Sequence, residues 1–195
     1  MTALIVIVVL VVLIVGWVIM TYNRLVALRT QVANGWAQID VQLKRRYDLI
    51  PNLVESVKGY MGHEQDTLRQ VIEARNKAAS TNAGVPATGA TTAMISAEGA
   101  LSASLGKMFA LAEAYPDLKA NQSVQQLMEE LSTTENKIGF ARQFYNDSAT
   151  NLNTAVQSFP GNLIAGQFGF QNAELWRVSE AERAAVEVAP KVSLR

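Results

Sequence analysis

The feature that most limits what this chain can become is a stripe of apolar and aromatic residues spaced alternately three and four apart: Trp36, Ile39, Leu43, Tyr47, Ile50, Val54 and Val57. That spacing returns side chains to one face of an α-helix, whereas a strand would need alternation at every second residue. The phase extends upstream through Leu25, Leu28 and Val32 and downstream through Met61, Leu68, Val71 and Ile72. A helical pattern therefore covers Tyr22 to about Ala79. Pro51 sits inside it. Proline removes a backbone donor and crowds the preceding turn, so a kink is expected at Pro51. No glycine accompanies Leu49-Ile50-Pro51, which favours a kink over a reversal of the chain.

Farther on, Ser80 to Thr92 breaks the pattern with Asn82, Gly84, Pro86 and Gly89 and reads as a flexible loop. A second helix fits about Ala93 to Ala114, on a stripe of Met94, Leu101, Leu105, Met108, Ala112 and Tyr115, and Tyr115-Pro116-Asp117 interrupts it. Ser123 with Gln126 has the spacing of a capping box, which starts a third long helix near there. Its stripe is Val124, Leu127, Leu131, Thr134, Ile138, Ala141, Tyr145, Ser148, Leu152, Ala155 and Phe159, ended by Pro160-Gly161. Sustained three-four spacing of this kind suits left-handed bundle or coiled-coil packing. No strand pattern of useful length appears.

The residues before this pattern are of a different kind. Ala3 to Met20 carries no charge and is rich in Val, Ile and Leu; as a helix it reaches roughly 27 Å, enough to cross a membrane. Trp17 and Tyr22 stand at its far end, where amphipathic rings favour the headgroup zone, and Arg24 and Arg29 follow. No basic region precedes the run and no Ala-x-Ala site follows it, so a retained anchor is expected rather than a cleaved signal peptide. The two arginines place the body of the protein on the cytoplasmic side by the positive-inside rule, although a periplasmic domain behind such an anchor is also common. The expected fold is all-α: a single N-terminal transmembrane helix, residues 1–21, followed over 22–159 by an elongated antiparallel bundle of three to four long helices. Residues 160–195 form a Gly-rich, aromatic docking segment and a tail.

Composition excludes several functions. Lys and Arg number 17, as do Asp and Glu, so no net field recruits nucleic acid. Cysteine is absent and His63 is the single histidine, which removes thiol chemistry and leaves metal catalysis without ligands. His63 with Glu64 and Asp66 points to different helix faces. Glu129, Glu130 and Glu135 read as a solvated face without a Glu-x-x-His pair, and no Ser or Thr has an activating partner. Lys44-Arg45-Arg46 also reads as a solvated face, with helical partners such as Asp40 and Asp48, since it lies roughly 36 Å beyond Met20 and outside the reach of a membrane surface. Trp36, Tyr47, Tyr60, Phe144, Tyr145 and Phe159 read as core or helix-contact aromatics. No catalytic, cofactor or metal residues are expected.

The blocks Tyr22-Asn23-Arg24-Leu25-Val26 and Val32 to Val54, the latter containing Asn34-Gly35-Trp36-Ala37-Gln38-Ile39-Asp40 and Leu49-Ile50-Pro51-Asn52-Leu53-Val54, closely resemble the LemA family. Ala74-Arg75, Tyr115 to Asn121, Thr134-Glu135-Asn136-Lys137-Ile138 and Phe159 to Gly166 continue the resemblance in family order. It implies a membrane-anchored helical bundle with its N-terminus out and C-terminus in, including members tied to magnetosome membranes. It brings no defining enzymatic activity. Tyr47 occupies a position often held by His in that family, which argues against histidine chemistry there.

Together these features lead to the expectation of a non-enzymatic scaffold in the bacterial inner membrane, self-associating through Leu127, Leu131 and Ile138 and through Phe159, Phe168, Phe170 and Trp176. Its partners would be membrane lipid and further copies of itself. The competing expectation is a small accessory module that binds a membrane protease or signalling protein.

Overall fold

The structure, a computed structural model, describes residues 1–62, 64–85 and 89–177. The protein is all-α. Six helices carry the regular structure of the described residues: α1 (Thr2–Lys58), α2 (Gln65–Ala83), α3 (Thr92–Ala112), α4 (Pro116–Ala120), α5 (Gln122–Gln157) and α6 (Gly161–Gln167). His63 and the tail from Ser179 onward, both considered above, lie outside the described residues.

The chain does not turn where its proline stands. α1 passes through Pro51 without a break, and the ring sits on the exposed side, where a missing donor costs little. The turn comes instead after Lys58, where the Tyr60 and Met61 amides both donate to the Val57 carbonyl before α2 begins at Gln65. This corrects the reading of one helical run from Tyr22 to Ala79. Met61 keeps the apolar phase and is fully buried, yet it lies in the turn; Gly59 and Gly62, poor helix formers, are the local reason.

Other boundaries also move. α2 continues to Ala83, so Ser80–Ala83 of the expected loop are helical. Thr91 caps α3, its Oγ1 accepting the Met94 amide at 3.3 Å. For α5 the expected Ser123–Gln126 box is not used. Asn121 does the capping, its Oδ1 accepting the amides of Ser123 at 3.0 Å and Val124 at 3.3 Å, while its Nδ2 donates to the Tyr60 hydroxyl at 3.1 Å. An oxygen just outside the helix reaches both orphan donors, which a Ser two residues farther in, already inside the first turn, cannot do.

The fold divides into two compact units. The first contains the described residues of 1–42, 86–89 and 136–175. Here Trp36 of α1 meets Tyr145 of α5 edge to face, ring centroids 6.0 Å apart, and Gly35 lets the helices close: a Cβ there would come within 3.1 Å of the Tyr145 Cα. A second cluster joins Leu25 to Ile164 and Ala165 of α6 and to Phe170. Those apolar contacts order a Gly-rich segment that would be a poor helix alone.

The second unit contains the described residues of 43–85, 90–135 and 176–195. Its core takes Leu43, Ile50, Leu53 and Val57 from α1, Leu68 and Val71 from α2, Met94, Leu101 and Met108 from α3, and Val124 and Leu131 from α5.

Candidate functional site

Three places in the structure concentrate chemistry or uncovered apolar surface. The first is the end of the apolar run of α1. This stretch is long and apolar enough to cross a membrane, and none of it is buried among the described residues. Trp17 and Arg24 are exposed, while Tyr22, also exposed, stacks edge-on against Phe168 at 5.0 Å and Phe170 at 5.7 Å. The Arg29 guanidinium lies over the Phe170 ring, 5.2 Å from its centroid. Phe170 is buried in this arrangement, whereas Phe159 is 80 % exposed and Phe168 half exposed.

The second place is a groove on α1 and α5 within the first unit, about 540 Å³ in volume. Ala37, Gln38, Val41 and Gln42 line it from α1, and Lys137, Phe140 and Ala141 from α5. Val41 is 60 % and Phe140 75 % exposed, and the nearby Phe144 is also exposed. The Gln42 Oε1 is buried here without a donor among the described residues.

The third place, in the second unit, is a buried charge cluster. Arg46 is 2 % exposed. Its guanidinium donates to the carboxylates of Glu98 on α3 and Glu135 on α5, and to Ser102 Oγ at 3.2 Å. Tyr47 donates its hydroxyl to Glu98 as well. Arg75 of α2 completes the surroundings, its Nε donating to the Tyr47 carbonyl at 3.0 Å with its guanidinium 6.0 Å from the Tyr47 ring centroid. Burial pushes the Glu98 carboxyl above its ordinary range, outweighing Arg46 and the Tyr47 hydroxyl, which both favour the charged form. The cluster ties α1, α2, α3 and α5 together. Its exposed carboxylate, Glu135, is engaged by the Arg46 guanidinium, and among the described residues no group of His, Cys, Asp or Glu is arranged to hold a metal ion.

The cluster corrects the solvated-face reading of Lys44-Arg45-Arg46. Lys44 and Arg45 are exposed, and Arg45 reaches Glu130 at 3.4 Å on the surface. Arg46 instead lies three residues after Leu43 and four before Ile50, which is the buried stripe itself. Glu135 is half exposed yet spent on Arg46. Glu98 was not anticipated, although it stands four residues after Met94 and three before Leu101, again on a buried stripe. Among the aromatics read as core, Trp36, Tyr47 and Tyr145 are buried, while Tyr60, Phe144 and Phe159 are exposed. Of the residues expected to self-associate, Leu131, Ile138, Phe170 and Trp176 are buried within the chain and Leu127 is partly buried.

Comparison with known proteins bears on what these features serve. The LemA family profile matches residues 35–189. The chain belongs to the LemA family. Protein LemA of Metamycoplasma hominis is 26 % identical over an alignment covering 86 % of this chain and 74 % of the relative. Magnetosome protein MamQ 2 of Paramagnetospirillum magneticum is 25 % identical, and Magnetosome protein MamQ of Magnetospirillum gryphiswaldense 23 %, each over 84 % of this chain and 67 % of the relative. The LemA profile takes in both the groove residues of α1 and α5 and the whole buried cluster. The N-terminal part of α1, outside the profile, fits a membrane anchor.

Proposed function

We propose that this LemA-family protein is a non-enzymatic, membrane-anchored scaffold that associates with further copies of itself and so organises or shapes a patch of bacterial membrane. The observation that carries this reading is the uncovered face around Val41, Phe140 and Phe144. Val41 lies roughly 32 Å along α1 beyond Met20, too far for lipid to cover it. A contiguous exposed apolar patch on a soluble surface marks a contact site. A second copy suits it because the patch holds both shapes such a contact needs: a projecting Phe140, and a groove with Ala37 and Ala141 in its lining. The buried, donorless Gln42 carbonyl would gain a partner there. Relatives named as magnetosome proteins support a place in an organised bacterial structure. The anchor is taken to lie in the inner membrane with the body in the cytoplasm, as Arg24 and Arg29 behind the apolar run argue.

The test is the mass of the full-length particle in mild detergent or native lipid, by light scattering and electron microscopy, for the wild type and Phe140→Asp. A large assembly that Phe140→Asp reduces to small particles of unchanged helicity is the expected result. A wild-type monomer would sink the scaffold and leave the accessory-module reading. Substituting Leu131 would not serve, because its burial makes the change a test of folding.

A further inference from the structure

At the end of the apolar run, α1 and the far end of α5 enclose a cleft of about 460 Å³ within the first unit. Five polar side chains line it: Thr21 and Arg24 from α1, Asn151 and Thr154 from α5, and Ser158 just past its end. Arg24 is the only charged one, no carboxylate lines the cleft, and no side-chain hydrogen bond or ion pair among the described residues uses Arg24, Asn151, Thr154 or Ser158. Donors without internal partners around a single cation make a site for an anion with several acceptor oxygens. The rest of the lining is apolar, with Trp17, Leu25 and Leu28 on α1 and Phe159 facing them. A freely soluble anion would gain nothing from such walls.

Height along the helix decides between sources. The α1 liners, Trp17, Thr21, Arg24, Leu25 and Leu28, recur at three- and four-residue steps on one face. They begin inside the apolar run and end about 16 Å farther along the axis, which crosses from the hydrocarbon edge into the headgroup layer. Beside the cleft, Phe159 and Leu163 are both largely exposed, and Phe168, also exposed, is stacked on Tyr22 two residues past the run. These side chains sit uncovered where a bilayer would cover them.

We propose that this cleft is a phospholipid site, in which Arg24 and the α5 hydroxyl and amide groups hold the phosphate while Trp17 and Phe159 pack along the start of the acyl chains, in the leaflet that faces the C-terminal body. The site rests on the anchor reading but not on self-association.

The full-length chain, reconstituted into discs of three parts phosphatidylethanolamine to one of phosphatidylglycerol, is released into mild detergent, and the phospholipid kept per protomer is counted by native mass spectrometry. Counting per protomer separates the result from the size of the particle. Arg24→Gln is expected to weaken retention roughly tenfold, the loss of a charge-assisted hydrogen-bonding group. Thr154→Val with Ser158→Ala should weaken it by a smaller factor, and Lys107→Gln, an exposed control on α3, should leave it unchanged. Equal retention by wild type and Arg24→Gln would overturn the site, as would an equal loss in Lys107→Gln. Inorganic phosphate offered to the delipidated chain should bind far more weakly than lipid, because it gains nothing from the apolar walls; Arg24-dependent binding as tight as that of lipid would make free phosphate the ligand and overturn the lipid assignment.

Discussion

The two units treat their side chains in opposite ways. The unit that carries the apolar run leaves Val41, Phe140 and Phe159 largely outside. The other takes an arginine and a glutamate inside, with Arg46 2 % and Glu98 3 % exposed. Apolar surface left in water is free energy not yet gained, and it is available to whatever covers it. Buried charge is the reverse: attraction already spent against desolvation, worth little as net stability but intolerant of any arrangement that separates the partners. One unit therefore leaves apolar surface for the contact proposed above, and the other holds its charges in a single internal packing.

Removing Arg46 tests that contrast most severely. Arg46→Met leaves Glu98 buried without its cation and should cost about 3–5 kcal/mol, read by denaturant unfolding of the full-length chain in detergent. Phe140→Asp, at an exposed position, should shift the same curve by less than about 0.5 kcal/mol when both proteins are dilute enough to be dispersed, since association itself adds to apparent stability. Comparable losses in the two variants would erase the distinction between the units.

A pH series sharpens it further. Burial raises the Glu98 pKa in the folded protein, so between the ordinary carboxylate range and that raised value the native state holds more protons than the unfolded chain. Its contribution to stability is thus fullest below the unfolded pKa and is lost as pH rises through the folded one. Glu98→Gln should flatten this part of the profile of melting temperature against pH. An unchanged slope would mean that Glu98 does not titrate within it.

The smallest effect is expected one residue away from the largest. Arg45 makes an exposed pair with Glu130 at 3.4 Å, and pairs of that kind are worth about 0–1 kcal/mol. Arg45→Gln should therefore be nearly silent in the same unfolding measurement, and increasingly so as salt is raised. A loss matching that of Arg46→Met would mean that the basic run acts as a whole.

Much of the fold was legible. The stripe Trp36, Ile39, Leu43, Tyr47, Ile50, Val54 and Val57 is buried throughout, because helical spacing alone determines which face turns inward. The turn after Lys58 was hidden because Met61 happens to keep the phase, so periodicity ran on where the backbone did not. Pro51 drew attention as the strongest local breaker, but its cost is small where the ring faces solvent. The candidate sites were less legible. Arg46 and Glu98 occupy stripe positions, and a charge on a stripe in two helices is a readable sign of an internal pair; membership in a basic run concealed it for Arg46. The exposure of Phe140 depends on what α5 packs against, and the unspent donors around Arg24 depend on where α5 ends. Neither follows from local pattern.

The absence of any break in α1 between Thr2 and Gln42 has a mechanical meaning. With no hinge between the apolar run and the Val41–Phe140 groove, the first unit moves with its anchor as a lever moves with its fulcrum. A bilayer thinner than the run makes the helix lean, and the groove swings through the same angle. On the proposed self-association, bilayer thickness would then govern the direction in which each copy offers this face.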